Sequence, residues 1–144
     1  EWDQILVMSH ASPDGDTLGS ASGLLWGLKS LGKQVDFYCA DPVPEKFSSL
    51  FEGLELGGFA PQHVMTVDVA DKKLLGKETP QELKDRVELA IDHHATHVDF
   101  APDGCLPVHG SGYGYGMLPV SQRHSPHPPD RRRSDGAGRP GGGY

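Results

Sequence analysis

Hydrophobic positions form four short continuous runs, and the segments between them follow a different period. Gln4-Ile5-Leu6-Val7-Met8, Val35-Asp36-Phe37-Tyr38-Cys39, His63-Val64-Met65-Thr66-Val67 and Val87-Glu88-Leu89-Ala90-Ile91 are short and rich in β-branched or aromatic residues. They predict buried strands. After the first run, Leu18, Ala21, Leu24, Leu25, Leu28 and Leu31 recur at helical spacing, with Gly32 as a natural stop. Asp41-Pro42-Val43-Pro44 reads as a turn, and residues 45–51 as a short helix. Thr79-Pro80-Gln81-Glu82 predicts a helix start with Thr79 as N-cap, Pro80 in the first position and Glu82 in the third. Strands alternating with helices imply right-handed crossovers and an α/β fold, a mainly parallel sheet with flanking helices. On this pattern Trp26 and Cys39 are core residues, and His63 is a surface residue at the start of its strand.

The pattern ends abruptly after Ala101. Residues 102–144 contain no Lys, Glu, Ile, Phe, Thr or Trp, and Gly, Pro, Ser, Arg and His dominate. Such a composition buries too little apolar surface to offset its ordering entropy. The chain therefore divides into an α/β domain over residues 1–101 and a Gly/Pro/Arg-rich tail over 102–144, expected to be disordered. The onset also matches translation of a GC-rich gene out of frame. The formal charge of −7 is concentrated in the first part, where seventeen Asp/Glu face eight Lys/Arg. An acidic domain handling phosphate-bearing substrates needs cations to bring them in. The cysteines, Cys39 and Cys105, stand in no ligand spacing. Free thiols fit a reducing cytoplasm, and no apolar run approaches membrane-spanning length.

The chemistry lies in three stretches, each where a strand should end. Ser9-His10-Ala11-Ser12-Pro13-Asp14-Gly15-Asp16 puts one imidazole and two carboxylates on a tight turn. Val67-Asp68-Val69-Ala70-Asp71 follows the third strand, and Asp92-His93-His94 the fourth. Ligands of parallel sheets gather beyond the carboxyl ends of the strands, so the three stretches point to one shared site. Carboxylates with a few imidazoles and no thiolate suit Mn²⁺ or Mg²⁺ better than a structural zinc. Two ions about 3.5–4 Å apart need bridging carboxylates, and Asp16 and Asp68 are the candidates. The plainer reading makes Asp14 a turn residue and Asp16 an N-cap, but it leaves the matching strand ends unexplained. Asp71 is either a partner behind the ligands or a helix N-cap. His97 reads as a solvent-facing loop residue, and Arg131-Arg132-Arg133 as a solvated stretch of tail.

The pattern Ser-His-x-x-Pro-Asp-Gly-Asp-x-x-Gly-Ser, a strand-terminal Asp and then Asp-His-His resembles the DHH phosphoesterase superfamily. The resemblance covers about residues 3–100. It is closest to the bacterial oligoribonuclease/pAp phosphatases, with the exonucleases of the RecJ type and family II pyrophosphatases as relatives. It implies a hydrolase with two Mn²⁺ per site, acting on short RNA or nucleotide phosphates and dimeric in its intact form. His10, Asp14 and Asp68 would hold one ion, and Asp16, Asp68 and His93 the other. His94 would face the substrate phosphate, and Asp92 would orient the histidine pair. N–H groups near Gly19 and Ser20 would meet a phosphate.

Two family features are not recognisable: a fourth-motif Asp beyond Asp-His-His, and the C-terminal substrate domain. Asp103 comes too soon for the first, and Gly141-Gly142-Gly143-Tyr144 lacks the His expected of the second. The alternatives are therefore a metal-binding but inactive fragment, or a nucleic-acid-binding module acting through its tail. An incomplete domain also leaves a sheet edge and core face uncovered, so marginal stability or self-association is expected. Translation of the coding DNA in its other two frames beyond residue 101 is expected to yield a globular continuation. Its absence from both frames rules out the frameshift.

Overall fold

The computed structural model describes residues 1–107; the expected disorder of the tail, its arginines and Gly141–Tyr144 lie outside the described residues. Five strands form one sheet: β1 (Ile5–Met8), β2 (Val35–Tyr38), β3 (His63–Val67), β4 (Val87–Asp92) and β5 (Cys105–Pro107). Their order is β2-β1-β3-β4-β5, and every pairing is parallel. The α/β reading with a mainly parallel sheet therefore holds. The sheet runs past the expected boundary at residue 101, because Cys105, Leu106 and Pro107 pair with Ala90, Ile91 and Asp92. Three residues with an apolar centre suffice to extend an existing parallel edge, even in a Gly/Pro-rich context.

Helix α1 (Gly15–Ser30) starts three residues before the expected Leu18, since Asp14 rather than Asp16 is its N-cap. Its buried Ala21 and Leu25 pack with Ile5, Val7, Val35, Met65 and Val67 on one face of the sheet. The opposite face buries Leu6, Met8, Val64, Val69, Leu75, Val87, Ala90, Ala101 and Cys105. Strands buried on both faces read as continuous apolar runs, which is why β1 and β3 lack alternation. The short helix expected after the turn is a 3₁₀ segment, Glu45–Leu50. A second 3₁₀ segment, Lys72–Leu75, has Asp71 as its cap. Helix α2 (Gln81–Asp85) begins one residue later than expected, with Pro80 in the cap position. Thr79 does not cap it; its hydroxyl instead donates to Leu75 O, 2.6 Å away and inside the core.

Three of the residue placements differ from expectation. Trp26 is 44% exposed, because it lies on the outer side of α1 and spends its ring on a hydrogen bond from Nε1 to Leu50 O. Cys39 is only half-buried, its thiol donating to His10 O. His63 is also half-buried, stacked flat on Trp2 at 4.5 Å and paired with Glu88. No helix among the described residues is long and apolar enough to cross a membrane.

Helix α1 covers β1 and β3 but leaves part of the same face bare: Leu89 and Ile91 of the sheet are only partly buried, as is Leu24 on the helix, and Leu106 is 47% exposed beside Ile91. Contiguous apolar surface of this kind drives association. The melting temperature of the chain is therefore expected to rise with protein concentration, measured by calorimetry over a dilution series. A concentration-independent two-state melt from a clean monomer would contradict this.

Candidate metal centre

Parallel strands end at one level, so β1, β3 and β4 deliver their following residues to the same rim of the sheet. Ser9 N–H bonds to Tyr38 O on β2, and the chain then turns through His10 and Ala11 into the Asp14 cap. The next loop closes over it. Ala11 N–H donates to Leu74 O, and at Gly76 (φ 93°) an added Cβ would stand 3.0 Å from the Cβ atoms of both Ala11 and Ala40. Only glycine combines that backbone with that approach.

His10 is set in a single orientation. Its Nδ1–H donates to the carbonyl of Ala11 at 2.6 Å, which turns Nε2 toward Asp68 Oδ2, 3.8 Å away. The hydroxyl of Thr17 lies between them, against His10 Nε2 and donating to Asp68 Oδ2 at 2.7 Å. Asp14 accepts the N–H of Thr17 at 2.9 Å, and this backbone bond, with lesser help from the Thr17 side chain and His10, holds its carboxyl below the usual range. Asp14, Asp68 and His10 each offer one ligand atom, a carboxylate oxygen or a ring nitrogen, and the three atoms lie within 4.8 Å of one another.

Asp68 is the shared member. It is 5% exposed and has φ 58°, a left-handed conformation that a short polar side chain tolerates. Its N–H is tied to Ile91 O at 2.8 Å. While Oδ2 faces His10, Oδ1 faces the fourth strand, 3.0 Å from His93 Nε2 and 3.6 Å from His94 Nδ1. Asp68, His93 and His94 thus form a second group with ligand atoms within 4.8 Å. Asp16, in the first turn of α1, reaches the same place, with Oδ2 3.2 Å from His93 Nε2. The expected bridging pair is therefore placed unevenly: Asp68 touches both groups, and Asp16 meets the second through His93.

Asp92 lies behind the histidines with its carboxylate fully buried. His94 Nδ1 donates to its Oδ1 at 2.6 Å and His97 Nδ1 to its Oδ2 at 2.8 Å. Burial works against its charge, but the His94 and His97 bonds prevail and its pKa is lowered. In turn the Asp92 hydrogen bond raises the pKa of His94. His97 is thus not the solvent-facing residue the sequence suggests. It is 7% exposed and folds back under the loop, with its N–H on His94 O and its ring against Phe100.

The sequence reading missed Thr17 and His97 as parts of the site. Thr17 stands three residues after its cap, on the inward side of the first turn, a position hidden while the helix was placed at Leu18. Asp103 lies at the amino end of β5, its N–H on Glu88 O, away from the rim. Gly19 and Ser20 lie in the second turn of α1, where N–H groups are spent within the helix. Asp71 accepts from Lys73 N as a cap rather than joining the ligands.

The donors are carboxylate oxygens and imidazole nitrogens without a thiolate, a set that fits hard divalent cations. Cys105 is kept a thiol by burial, which raises its pKa. An open cleft of about 270 Å³ adjoins the donors, lined by Asp16, Asp68 and His93 and by the apolar Leu24, Val67 and Ile91.

The DHH family, N-terminal domain, matches residues 4–112. The chain belongs to the DHH family. It is similar to the bifunctional oligoribonuclease and PAP phosphatase NrnA of Thermus thermophilus, 33% identical over 105 residues, which is 67% of this chain and 29% of that protein. It is also similar to the crystal structure of an exopolyphosphatase-related protein from Bacteroides fragilis. There the TM-score is 0.50 at 25% identity, over 69% of this chain and 33% of the other. The chain thus spans about a third or less of the relatives it matches.

The Asp92–His94 pair of this DHH domain makes its stability depend on pH. Asp92 titrates below its ordinary 3.8, so its share is present above that value and is lost as pH falls through the lower one. His94 titrates above its ordinary 6.5, so its share is complete below 6.5 and is lost as pH rises through the higher value. In chelator-treated protein, the melting temperature lost on His94→Gln is expected to be larger at about pH 5.5 than at about pH 9. Equal losses at both pH values would contradict this.

Proposed function

We propose that this chain is the metal-holding part of a phosphoesterase that uses two Mn²⁺ ions, with Mg²⁺ as a substitute. Its substrates are short oligoribonucleotides, linear dinucleotides or 3′-phosphoadenosine 5′-phosphate. One observation carries the reading: the two oxygens of Asp68 face opposite ligand groups, His10 with Asp14 on one side and His93 with His94 on the other. Membership of the DHH family and the likeness to the Thermus oligoribonuclease and PAP phosphatase support the chemistry and the substrate class. The two unpaired cysteines suit the cytoplasm as the place of action.

His10, Asp14 and Asp68 would hold one cation, and Asp16, Asp68 and His93 the other, with His94 close to the second. Bound there, the pair supplies charge to neutralise phosphoryl oxygens and a water of lowered pKa. The side chains do the rest. Asp68 fixes the spacing of the two groups from a rigid strand end. His94, protonated more readily because of Asp92, presents a positive ring to a phosphate and can place its proton on a leaving alkoxide. The apolar wall of Leu24, Val67 and Ile91 gives a substrate group a surface away from water.

A second reading is favoured by the length of the relatives, of which this chain spans 29% in one case. It is a fragment that binds metal but does not turn over. The deciding experiment measures product release from 3′-phosphoadenosine 5′-phosphate and from a 5′-phosphorylated diribonucleotide, with and without Mn²⁺. The expected result is Mn²⁺-dependent turnover that falls in Asp68→Ala by more than the roughly hundredfold typical of losing a partner behind a metal ligand. Mn²⁺ binding without turnover assigns the chain to the second reading. RNA binding that survives Asp68→Ala and vanishes on deleting residues 102–144 would instead indicate a tail-borne binding module.

A further inference from the structure

His97 is a buried histidine with one ring nitrogen engaged and the other without a hydrogen-bond partner. Nδ1 lies 2.8 Å from Asp92 Oδ2, and Nε2 is inaccessible to solvent and unpaired. A buried N–H without an acceptor is costly, whereas a bare imidazole lone pair is less so. The hydrogen-bond network therefore assigns the ring proton to Nδ1 and the lone pair to Nε2. The ring is clamped by its own N–H on His94 O and by the tilted ring of Phe100, 5.5 Å away between centroids.

Asp92 offers two oxygens, and each receives one imidazole N–H: His94 on Oδ1, His97 on Oδ2. A carboxylate held at one oxygen can swing about its χ2 bond. Held at both, it cannot, and the acceptor seen by His94 is fixed in direction. Fixing that acceptor keeps the proton of His94 on Nδ1 and leaves Nε2 on the edge of the ring away from Asp92. From this we infer that His97 is a positioning residue of the metal centre, acting through Asp92 to set the tautomer and direction of His94. The inference rests on the proposed function above for its effect on turnover, but the tautomer can be read independently of it.

The test uses the full chain and two substitutions. His97→Asn keeps a side-chain N–H donor near the place of Nδ1, whereas His97→Leu fills the space without one. Mn²⁺-dependent turnover of the 5′-phosphorylated diribonucleotide is expected to fall about 10–100-fold in His97→Leu and to stay near wild type in His97→Asn, because His94 faces the substrate phosphate. NMR of nitrogen-labelled histidine, recorded with neutral rings, is expected to show the Nδ1–H tautomer for both His94 and His97 in the wild type. That of His94 should persist in His97→Asn and become mixed in His97→Leu. Equal losses in both variants, or none in His97→Leu, would overturn the role, since packing alone would then account for the residue. A His97 proton on Nε2 in the wild type would overturn it without recourse to any variant, including one that fails to fold. If the wild-type chain shows no Mn²⁺-dependent turnover, the proposed activity of this chain falls, and the His94 tautomer in the two variants decides the role of His97.

Discussion

One carboxylate, that of Asp68, has to satisfy two sides of the site at once. Removed from water, it carries a charge whose desolvation costs several kcal/mol unless partners surround it. The fold supplies those partners from the strand ends on either side of its own: Thr17 and His10 after β1, His93 and His94 after β4. Because the sheet is parallel, all three ends stand at one level, and no long loop has to reach across. The left-handed backbone at Asp68 is the local turn that lets the chain leave β3 while the side chain remains at the rim.

Charge around Asp68 is balanced by geometry as well as by partners. Asp14 and Asp16 occupy the cap and first turn of α1, where the positive end of the helix dipole and free N–H groups favour anions. Asp92 is stabilised differently, by two imidazole N–H groups in a dry setting. Four of the domain's carboxylates are thus gathered at one rim, among imidazoles and helix N–H groups. That arrangement is poised for cations rather than for anions approaching alone.

Much of this was legible in the residues. The apolar runs marked four strands, since strands covered on both faces need no alternation. His10, Asp14, Asp16, Asp68, Asp92, His93 and His94 could be gathered at one rim because each followed a predicted strand in a parallel sheet. What was not legible depended on local geometry that residue types do not encode. The three-residue β5 exists by virtue of the strand it pairs with. The choice of Asp14 over Asp16 as cap moved α1 by a turn and brought Thr17 inward. His97 looked like surface because nothing in Ala95-Thr96-His97 announces that the loop folds back under Asp92.

The pairing of β3 with β4 contains one irregularity: Val64 lies opposite Val87, but Met65 opposite Leu89, so Glu88 is an extra residue. Strict alternation would have put Val87, Leu89 and Ile91 on one face; instead Val87 joins Ala90 in the core opposite α1, and Leu89 and Ile91 turn toward α1. Asp92, two residues after Ala90, follows Ala90 to that same side. The aim of the Asp-His-His segment is therefore governed by a count of residues four positions upstream. A one-residue deletion at Glu88 would leave every ligand in the sequence and still send the last carboxylate to the wrong side of the sheet, or Val87 out of the core.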